Sequence, residues 1–458
     1  MHQQILNIYH KLPYPLRVVI ASVKGYQLRH WRYGPRTEEL VAEILSQENW
    51  SLEKWKTWQE EQLAYVLHRA ATQVPYYQQQ WQQRRRNGDK ASYGYLENWS
   101  ILTKSALHDY PDAFIAMDCD KKGMYCDRTS GTTGTPLLIY STQEIVRKQY
   151  AIFEARVRRW HQVSIKELWA ILGGQLVVPF GQTKPPFWVF NAGLNQLYLS
   201  THHVSIQNTP AYLDALNHYR PTHLLMYPSS ANVLAIAIIE QGLTPPESLK
   251  VIFSNAELLL DEHREIIQNA FKCPVVNIYG MSENVALATE CQEGKMHLTP
   301  EIGWLEILDE NRIATNEMGN IVATGLLNAD MPLIRYEVGD RGQLEDSDQC
   351  QCGRTLPILA KVEGRANDLI VTKDGRNIFW LNPVFYDLPI VEAQIIQTSL
   401  EHILIRVVPT SRYTRTDSET IIKRLLGRVG EMNIELELIE HIPRSANGKF
   451  RAIISQVF

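Results

Sequence analysis

The chain has 458 residues, with 46 Lys plus Arg against 50 Asp plus Glu, so its formal net charge is −4. This length supports several folding units, and the balanced charge excludes the extended basic surface typical of nucleic-acid binding. Six cysteines in a chain of this length, with no signal-peptide pattern, exclude a small disulfide scaffold and predict a protein of the reducing cytoplasm. The longest nearly apolar stretch, 168–180, is shorter than the ~18 residues of a membrane span, so we expect none.

The first hundred residues predict a helical preface. Leu63, Val66, Leu67 and Ala70 recur at the i, i+3, i+4, i+7 spacing of one helix face. Ser51 precedes this stretch and is a suitable N-cap, because its hydroxyl can accept a hydrogen bond from a free N–H of the first helical turn.

Residues 150–260 alternate β-branched apolar runs with helical segments, a pattern that indicates βαβ units and a parallel sheet. Helices are expected over 231–242, ended by Gly242, and from a cap at Asp261. Open α/β sheets bind ligands at the edge where their parallel strands end, so we expect the loops after three strands to meet there. Those strands are expected at Thr222–Met226, Lys250–Phe253 and Val275–Tyr279.

The pattern changes beyond Thr289 to short strands and turns as far as Leu344, which predicts a smaller β-rich subdomain. A C-terminal α+β unit should follow, with a hairpin turn at 374–375, strands at 392–397, at 403–408 and near 434, and a helix near 420. We therefore expect an α/β fold with two domains. The large N-terminal domain would cover residues 1–365, and a small mobile lid domain would cover 366–458.

Residues 129–136 form a candidate phosphate-binding loop. Their sequence, TSGTTGTP, places five hydroxyls and two glycines in eight positions. Glycines allow successive backbone N–H groups to converge on an anion, and the hydroxyls can donate further hydrogen bonds. The segment lacks the Gly-Lys-Ser/Thr ending of the common P-loop, and taken alone it is equally consistent with a polar surface turn.

Four motifs follow this loop in order: YGMSE at 279–283, RYEVGD at 335–340, GRAND at 364–368 and PRSANGK at 443–449. Together with VPYY at 74–77 and CQCGR at 350–354, they make the chain resemble the adenylate-forming superfamily of acyl-CoA synthetases, adenylation domains and luciferases. The sequence is most similar to the phenylacetate-CoA ligase branch and to the related CapK-like capsule-biosynthesis proteins. The resemblance runs essentially from end to end.

The resemblance implies ATP and Mg²⁺ as cofactors. By analogy, Tyr279 would lie against the adenine, with Asn255 and Ala256 on its other side, while Asp340 would accept from the ribose hydroxyls and Arg365 would add a donor. A surface salt bridge is the alternative role for Asp340 and Arg365. The complete implied nucleotide site is Thr129, Ser130, Gly131, Thr132, Thr133, Gly134, Asn255, Ala256, Tyr279, Gly280, Asp340 and Arg365.

Three residues are implied in catalysis. Lys449 matches the motif lysine that would bridge the substrate carboxylate and the α-phosphate, where negative charge develops. Glu283 would bind Mg²⁺, a hard cation that prefers carboxylate oxygen, and Ser282 would donate to an α-phosphate oxygen. The simpler alternatives are an exposed tail lysine for Lys449 and a glutamate at a helix N-terminus for Glu283.

The resemblance further places the substrate pocket around Gly173, Gly174 and Tyr227, and the interdomain hinge at Asn367. Two positions depart from the wider family pattern. Leu137 replaces a common lysine, so the backbone and hydroxyls of the preceding loop would have to hold the outer phosphates. Asn367 replaces a common Asp or Lys at the hinge.

We expect ATP-dependent activation of an aryl or acyl carboxylic acid to an acyl-adenylate, with pyrophosphate release and then transfer to coenzyme A. A carrier-protein thiol, an amine or a sugar nucleotide is the alternative acceptor. A non-catalytic nucleotide-binding or scaffold protein is the alternative class, although Lys449 and Glu283 together argue against it. The sequence names neither the acid nor the oligomeric state.

Cys291, His297, Cys350 and Cys352 form a candidate structural zinc site. In a cytoplasmic protein a Cys-x-Cys pair with a distant Cys and His is more often metal-binding than disulfide-forming, and Zn²⁺ favours four sulfur or nitrogen ligands. All four ligands would come from the protein, which leaves no open position for catalysis. The alternative is three reduced thiols and an unrelated histidine.

Overall fold

The computed structural model describes residues 8–128, 137–309, 312–313, 317–345, 350–365, 370–373, 377–378, 381, 384–445 and 449–457. The chain divides into two compact units, each assembled from separated segments. The first unit consists of Met1–Val23, Lys166–Val275 and Glu363–Phe458, and the second of Lys24–Ile165 and Val276–Val362. The expected domain boundary at residue 365 stays a prediction.

Ten α-helices are described in these ranges. They are α1 Tyr14–Arg32, α2 Thr37–Ser46, α3 Leu52–Gln73, α4 Pro75–Arg86, α5 Lys104–Asp109, α6 Gln143–Phe153, α7 Thr209–Tyr219, α8 Pro228–Gln241, α9 Asp261–Phe271 and α10 Arg415–Val429. None of them is long and apolar enough to cross a membrane.

The strands described in the same ranges alternate with helices in the middle of the chain and follow one another in its later part. They are β1 Tyr125–Arg128, β2 Leu138–Ser141, β3 Trp169–Gly173, β4 Trp188–Asn191, β5 Gln196–Ser200, β6 His223–Met226, β7 Val251–Ser254, β8 Val275–Gly280, β9 Leu287–Glu290, β10 Met296–Leu298, β11 Gly303–Asp309, β12 Arg312–Ile313, β13 Gly319–Gly325, β14 Tyr336–Leu344, β15 Leu359–Arg365, β16 Ile370–Val371, β17 Asn377–Ile378, β18 Ile390–Ser399, β19 His402–Pro409, β20 Asn433–Leu438 and β21 Ile453–Ser455.

The capping residues explain where three of the helices begin or end. The Ser51 side chain accepts from the Lys54 N–H at the start of α3, which confirms the predicted cap. Gly242 ends α8 in a left-handed conformation, φ +61°, that glycine adopts without strain. The prediction for α9 was wrong by one residue, because the helix begins at Asp261 and Leu260 occupies the cap position. The Asp261 carboxylate instead lies in the first turn, where the helix dipole favours negative charge.

The first unit contains the predicted parallel sheet. Strands β7, β6, β3 and β5 run parallel in that order, and β4 adds an antiparallel edge. The apolar faces of α7, α8 and α9 pack on this sheet, and fully buried Leu172, Leu197, Leu224 and Leu234 belong to the resulting core. These observations confirm the α/β class.

The C-terminal part of the first unit is a sheet in the order β20–β19–β18–β21 covered by α10. The predicted strands near 392–397, 403–408 and 434 and the helix near 420 are all present. The sequence analysis missed β21, which pairs parallel with β18 from Ile395↔Ile453 to Gln397↔Ser455. Only three residues long, β21 lacks the extended apolar alternation that marks its neighbours.

The second unit combines most of the helical preface with antiparallel sheets. Strands β8, β9 and β10 form one antiparallel set, and the order β12–β11–β13–β14–β15 forms another. Val66, Leu67 and Ala70 of α3 are fully buried in the main core of this unit, and Leu63 packs against it. β1 and β2 pair antiparallel on either side of residues 129–136.

A buried carboxylate organises the chain just after α6. Glu154, with no exposed surface, begins a π-helical turn, Glu154–Arg158. Its oxygens accept from Arg159 Nε and Ser164 Oγ, both at 2.8 Å, and from the Ile165 N–H at 3.1 Å, while Arg158 Nη1 lies 3.5 Å away. One side chain therefore holds the turn and the loop after it.

We expect Glu154→Ala to lower the free energy of unfolding by about 3–5 kcal/mol, because it removes the anion that buried Arg158 faces. Glu144→Ala is the matched control, since Glu144 pairs with Lys148 on the surface of the preceding helix, where such pairs contribute at most about 1 kcal/mol. Urea unfolding of both variants measures the difference. Equal effects would show that the Glu154 network is no more important than a surface pair.

Candidate functional site

Three parallel strands of the first unit end at one level. Leu172 of β3 is in register with Met226 of β6, and Met226 with Ser254 of β7. The next residues along the chain are Gly173, Tyr227 and Asn255. The structure therefore brings the predicted pocket residues and one side of the predicted adenine site to a single sheet edge.

The Gly173 end of β3 has no room for a side chain. A Cβ atom at Gly173 would lie 2.7 Å from the Tyr198 hydroxyl oxygen. That hydroxyl accepts from the Gln175 N–H at 2.9 Å, and His202 Nε2 lies 3.1 Å from the Gly174 carbonyl oxygen. Burial raises the pKa of the Tyr227 hydroxyl, so this edge presents neutral aromatic groups.

The loop after β7 is strained and holds a carboxylate. Ala256 has φ +65°, a left-handed conformation that costs a non-glycine residue about 1–3 kcal/mol and that clusters at ligand sites. Glu257 follows, and the Ser229 N–H at the start of α8 donates to its Oε2 at 3.1 Å. Sequence reasoning named Asn255 and Ala256 but missed Glu257.

The segment that carries Lys449 reaches this same loop within the first unit. The Phe450 N–H donates to Glu257 Oε1 at 2.7 Å. Ser445 donates from both its N–H and its hydroxyl to the Lys449 carbonyl oxygen, at 3.0 and 2.8 Å. Lys449 is half-buried here, so the description as an exposed tail lysine does not fit.

The second unit holds Tyr279, Gly280 and Asp340 of the predicted nucleotide site. Tyr279, near the end of β8, donates from its hydroxyl to Asp340 Oδ2 of β14 at 3.0 Å. Tyr336 donates in the same way to Glu283 Oε1, also at 3.0 Å. The contact between Tyr279 and Asp340 shows that two motifs 61 residues apart form one surface.

The neighbourhood of Glu283 contains a second carboxylate that sequence reasoning missed. Asp127 is exposed on β1, yet desolvation of its carboxylate by neighbouring groups raises its pKa, and the Glu283 carboxylate acts in the same direction. Asp127 also lines a cavity of about 140 Å³ with Tyr125, Tyr150 and Asn284. Its position immediately before the Thr, Ser and Gly-rich segment was the available signal. Paired carboxylates of this kind are the ligands that Mg²⁺ prefers.

Some predicted residues cannot be placed. Thr129, Ser130, Gly131, Thr132, Thr133, Gly134 and the hinge Asn367 lie outside the described residues. Arg365 is the last residue of β15. Gly280 ends β8, and Ser282 is exposed in the turn that follows.

The structure brings all four predicted zinc ligands together in the second unit. The ligand atoms of Cys291, His297, Cys350 and Cys352 lie within 4.8 Å of one another. Cys291 Sγ is 3.7 Å from Cys350 Sγ, and Cys352 Sγ is 3.3 Å from His297 Nε2. Among the described residues this is the only such group of His, Cys, Asp or Glu side chains that could hold a metal.

Two family models match the chain. The model of the AMP-binding enzyme family covers residues 56–327, more than half of the chain, and that of the CapK C-terminal domain covers residues 370–456. The chain belongs to the AMP-binding enzyme family. It is an adenylate-forming ligase, and its C-terminal part is a distinct domain. The family named from the motifs is thereby confirmed.

Relatives of known name support the assignment. The chain is 27% identical over 380 residues to the protein CapK of Staphylococcus aureus, covering 81% of this chain and 82% of CapK. It is 25% identical over 347 residues to a phenylacetate-coenzyme A ligase of Pseudomonas putida, covering 72% and 74%. A crystal structure of 2-hydroxyisobutyryl-CoA ligase with R3-HIB-AMP aligns with a TM-score of 0.67 at 19% identity, covering 90% of this chain and 91% of that one, which shows a shared fold.

We expect Gly173→Ala to destabilise the protein by about 1–3 kcal/mol, because overpacking at a fixed contact forces its neighbours to move. The contact at issue is the Tyr198 hydroxyl oxygen. Removing that oxygen with Tyr198→Phe should therefore recover part of the loss in the double variant. Chemical unfolding of the wild type, both single variants and the double variant measures the recovery. Strictly additive losses would contradict this contact as the cause.

Proposed function

We propose that the protein activates an aryl or acyl carboxylic acid with ATP and then transfers the acyl group to coenzyme A. In the first step a carboxylate oxygen bonds to the α-phosphorus while the bond to the β-phosphate oxygen breaks, and pyrophosphate leaves. In the second step the coenzyme A sulfur attacks the acyl carbon, AMP leaves, and the thiol proton passes to solvent. Family membership supports the first step directly.

The observation that carries this proposal is the position of Lys449. The lysine segment is bonded to the loop after β7 through Glu257, which lies two residues beyond Asn255 at the sheet edge that also presents Gly173 and Tyr227. Both reactants of the first step are anions, so a cation placed beside them stabilises the charge that develops in the transition state. A lysine at this edge is suited to that task.

The second unit supports the assignment of the nucleotide contacts. We assign Asp340 to the ribose hydroxyls, Tyr279 to the adenine and Ser282 to an α-phosphate oxygen. The carboxylates of Glu283 and Asp127 would hold Mg²⁺, which draws phosphate charge away from the attacking carboxylate. Desolvation raises the pKa of Asp127, and a bound cation would act in the opposite direction and keep its carboxylate charged.

Coenzyme A is the proposed acceptor because phenylacetate-coenzyme A ligases of three organisms match more than 70% of the chain. The aromatic groups of Tyr198, His202 and Tyr227 beside Gly173 and Gly174 favour an aromatic or short acyl acid. Pyrophosphate release screened over a carboxylic acid library identifies the acid. Thioester formation with coenzyme A, compared with a carrier-protein thiol or an amine, then identifies the acceptor.

We expect Lys449→Ala to lower the rate of adenylate formation by about 100-fold or more, because the lysine stabilises the transition state. ATP affinity should change little. Lys423→Ala, an exposed lysine on α10, is the control. Pyrophosphate release and ATP binding are measured on each variant. An unchanged rate in Lys449→Ala would refute the mechanism.

We also propose that the Cys291, His297, Cys350 and Cys352 cluster holds one structural Zn²⁺. Four ligands at tetrahedral corners about 2.3 Å from zinc lie about 3.8 Å apart. The observed Cys291 to Cys350 separation of 3.7 Å fits that edge and is far longer than a disulfide bond of about 2.05 Å. A reducing cytoplasm, the proposed location, would keep these thiols available.

The contacts around the cluster support a metal. His297 Nδ1 lies 3.1 Å from the Leu356 carbonyl oxygen, which places the proton on Nδ1 and turns the Nε2 lone pair toward Cys352. The turn between β9 and β10 contains Gly294 at φ +73°. Cys350 and Cys352 lie in a second turn, which ends with Gly353 at φ +83°. Two tight turns thus present two ligands each, and a metal would join them.

We expect about one zinc per chain in protein purified without added metal, and loss of most of it in Cys352→Ser. Cys119→Ser is the control, because Cys119 lies outside the cluster. Metal analysis and thermal unfolding of both variants test the site, and the Cys352→Ser protein should melt at a lower temperature. Zinc-free wild type, or equal zinc in both variants, would exclude it.

A further inference from the structure

One carboxylate in the first unit accepts two backbone N–H groups from distant parts of the chain. Glu257 Oε2 accepts from Ser229 at 3.1 Å and Oε1 accepts from Phe450 at 2.7 Å. The donors are 28 and 193 residues away along the chain. Hydrogen bonds from neutral donors to a charged acceptor are stronger than those between neutral groups, so Glu257 fixes the backbone next to Lys449.

A second buried carboxylate holds the other end of the same segment. Arg444 forms an ion pair with Glu392 of β18, and both side chains are at least 90% buried. The Arg444 guanidinium also lies 5.0 Å from the centre of the Phe450 ring. Burial raises the pKa of Glu392, and Arg444 offsets part of this rise. The ion pair of Arg444 therefore holds the chain before Lys449, and the backbone hydrogen bond of Phe450 holds it after Lys449.

Apolar packing supports the same arrangement. Val233 and Ile236 of α8 share a buried cluster with Val391, Val408 and Ile442, and Phe450 packs against that cluster. Apolar packing brings the segment close to α8 but does not fix its exact position. The hydrogen bond to Glu257 fixes that position, because it holds one backbone atom, the Phe450 N–H.

We propose that Glu257 is a positioning residue that holds Lys449 in place for adenylate formation, and that it does so through the Phe450 N–H. This proposal rests on the proposed function, since it assigns a task to Lys449. The second step needs no such help, because its leaving group is AMP and no anion has to approach the triphosphate. Loss of the contact should therefore slow the first step and leave the second unchanged.

Two variants remove the contact from opposite sides. Glu257→Gln keeps the shape but offers only one acceptor oxygen to two donors. Phe450→Pro removes the N–H, and Phe450→Ala, which keeps it, controls for loss of the ring. Glu240→Gln, an exposed glutamate on α8, is the control for the first variant. Pyrophosphate release measures the first step, and thioester formation from a synthetic acyl-adenylate and coenzyme A measures the second.

We expect Glu257→Gln to lower the first rate about tenfold, the effect of one charge-assisted hydrogen bond, with the second rate unchanged. Phe450→Pro should lower it further than Phe450→Ala, and adding Glu257→Gln to Phe450→Pro should cost nothing more, because both remove one contact. Hydrogen exchange of the peptide that contains Phe450 should be faster in Glu257→Gln than in Glu240→Gln.

Equal losses in both steps, or additive losses in the double variant, would overturn the proposal. Unchanged exchange at Phe450 would do so as well, and this measurement does not depend on turnover. A wild-type protein that activates no acid would instead refute the proposed function, and exchange would still decide whether Glu257 holds the segment.

Discussion

The carboxyl ends of parallel strands lie at the same edge of a sheet, and this constraint places the candidate site of the first unit. Because Leu172, Met226 and Ser254 share one level, the residues that follow them meet without any long loop to position them. The same edge supplies Glu257, whose two acceptor oxygens connect α8 to the lysine segment. The segment that carries Lys449, the proposed catalytic lysine, is thus bonded to the loop after β7 through one carboxylate, although it lies almost 200 residues farther along the chain.

Carboxylates lie near the predicted site residues of each unit, and their charges are compensated in different ways. In the first unit Glu257 is satisfied by backbone N–H groups and Glu392 by Arg444. In the second unit desolvation raises the pKa of Asp127, and the Glu283 carboxylate adds to this rise while Arg32 opposes it. A Mg²⁺ ion bound by the two carboxylates would favour their charged forms.

The elements that sequence predicted well are those whose signal is local. The strands β6, β7 and β8 are rich in apolar residues, and Ser51 and Gly242 occupy cap positions that few other residues suit. The grouping of the three cysteines with His297 was also predictable, since a Cys-x-Cys pair with a further Cys and His suggests a shared metal. Glu257 was not, because its partners are backbone N–H groups, which every residue except proline has. Asp127 was missed although its position two residues before the Thr-, Ser- and Gly-rich segment was a signal.

The predicted site residues of the two units are held by different contacts. Glu283 lies in the turn before β9, and Cys291 follows the other end of that strand, so zinc, if bound as proposed, would stiffen the hairpin next to the proposed magnesium ligand. The segment that carries Lys449 is held by the hydrogen bond from Phe450 to Glu257, by the buried ion pair of Arg444 with Glu392 and by packing of Phe450 against an apolar cluster. In the proposed mechanism the lysine is needed only while the bond to pyrophosphate breaks, so the hydrogen bond to Glu257 has to hold only during the first step.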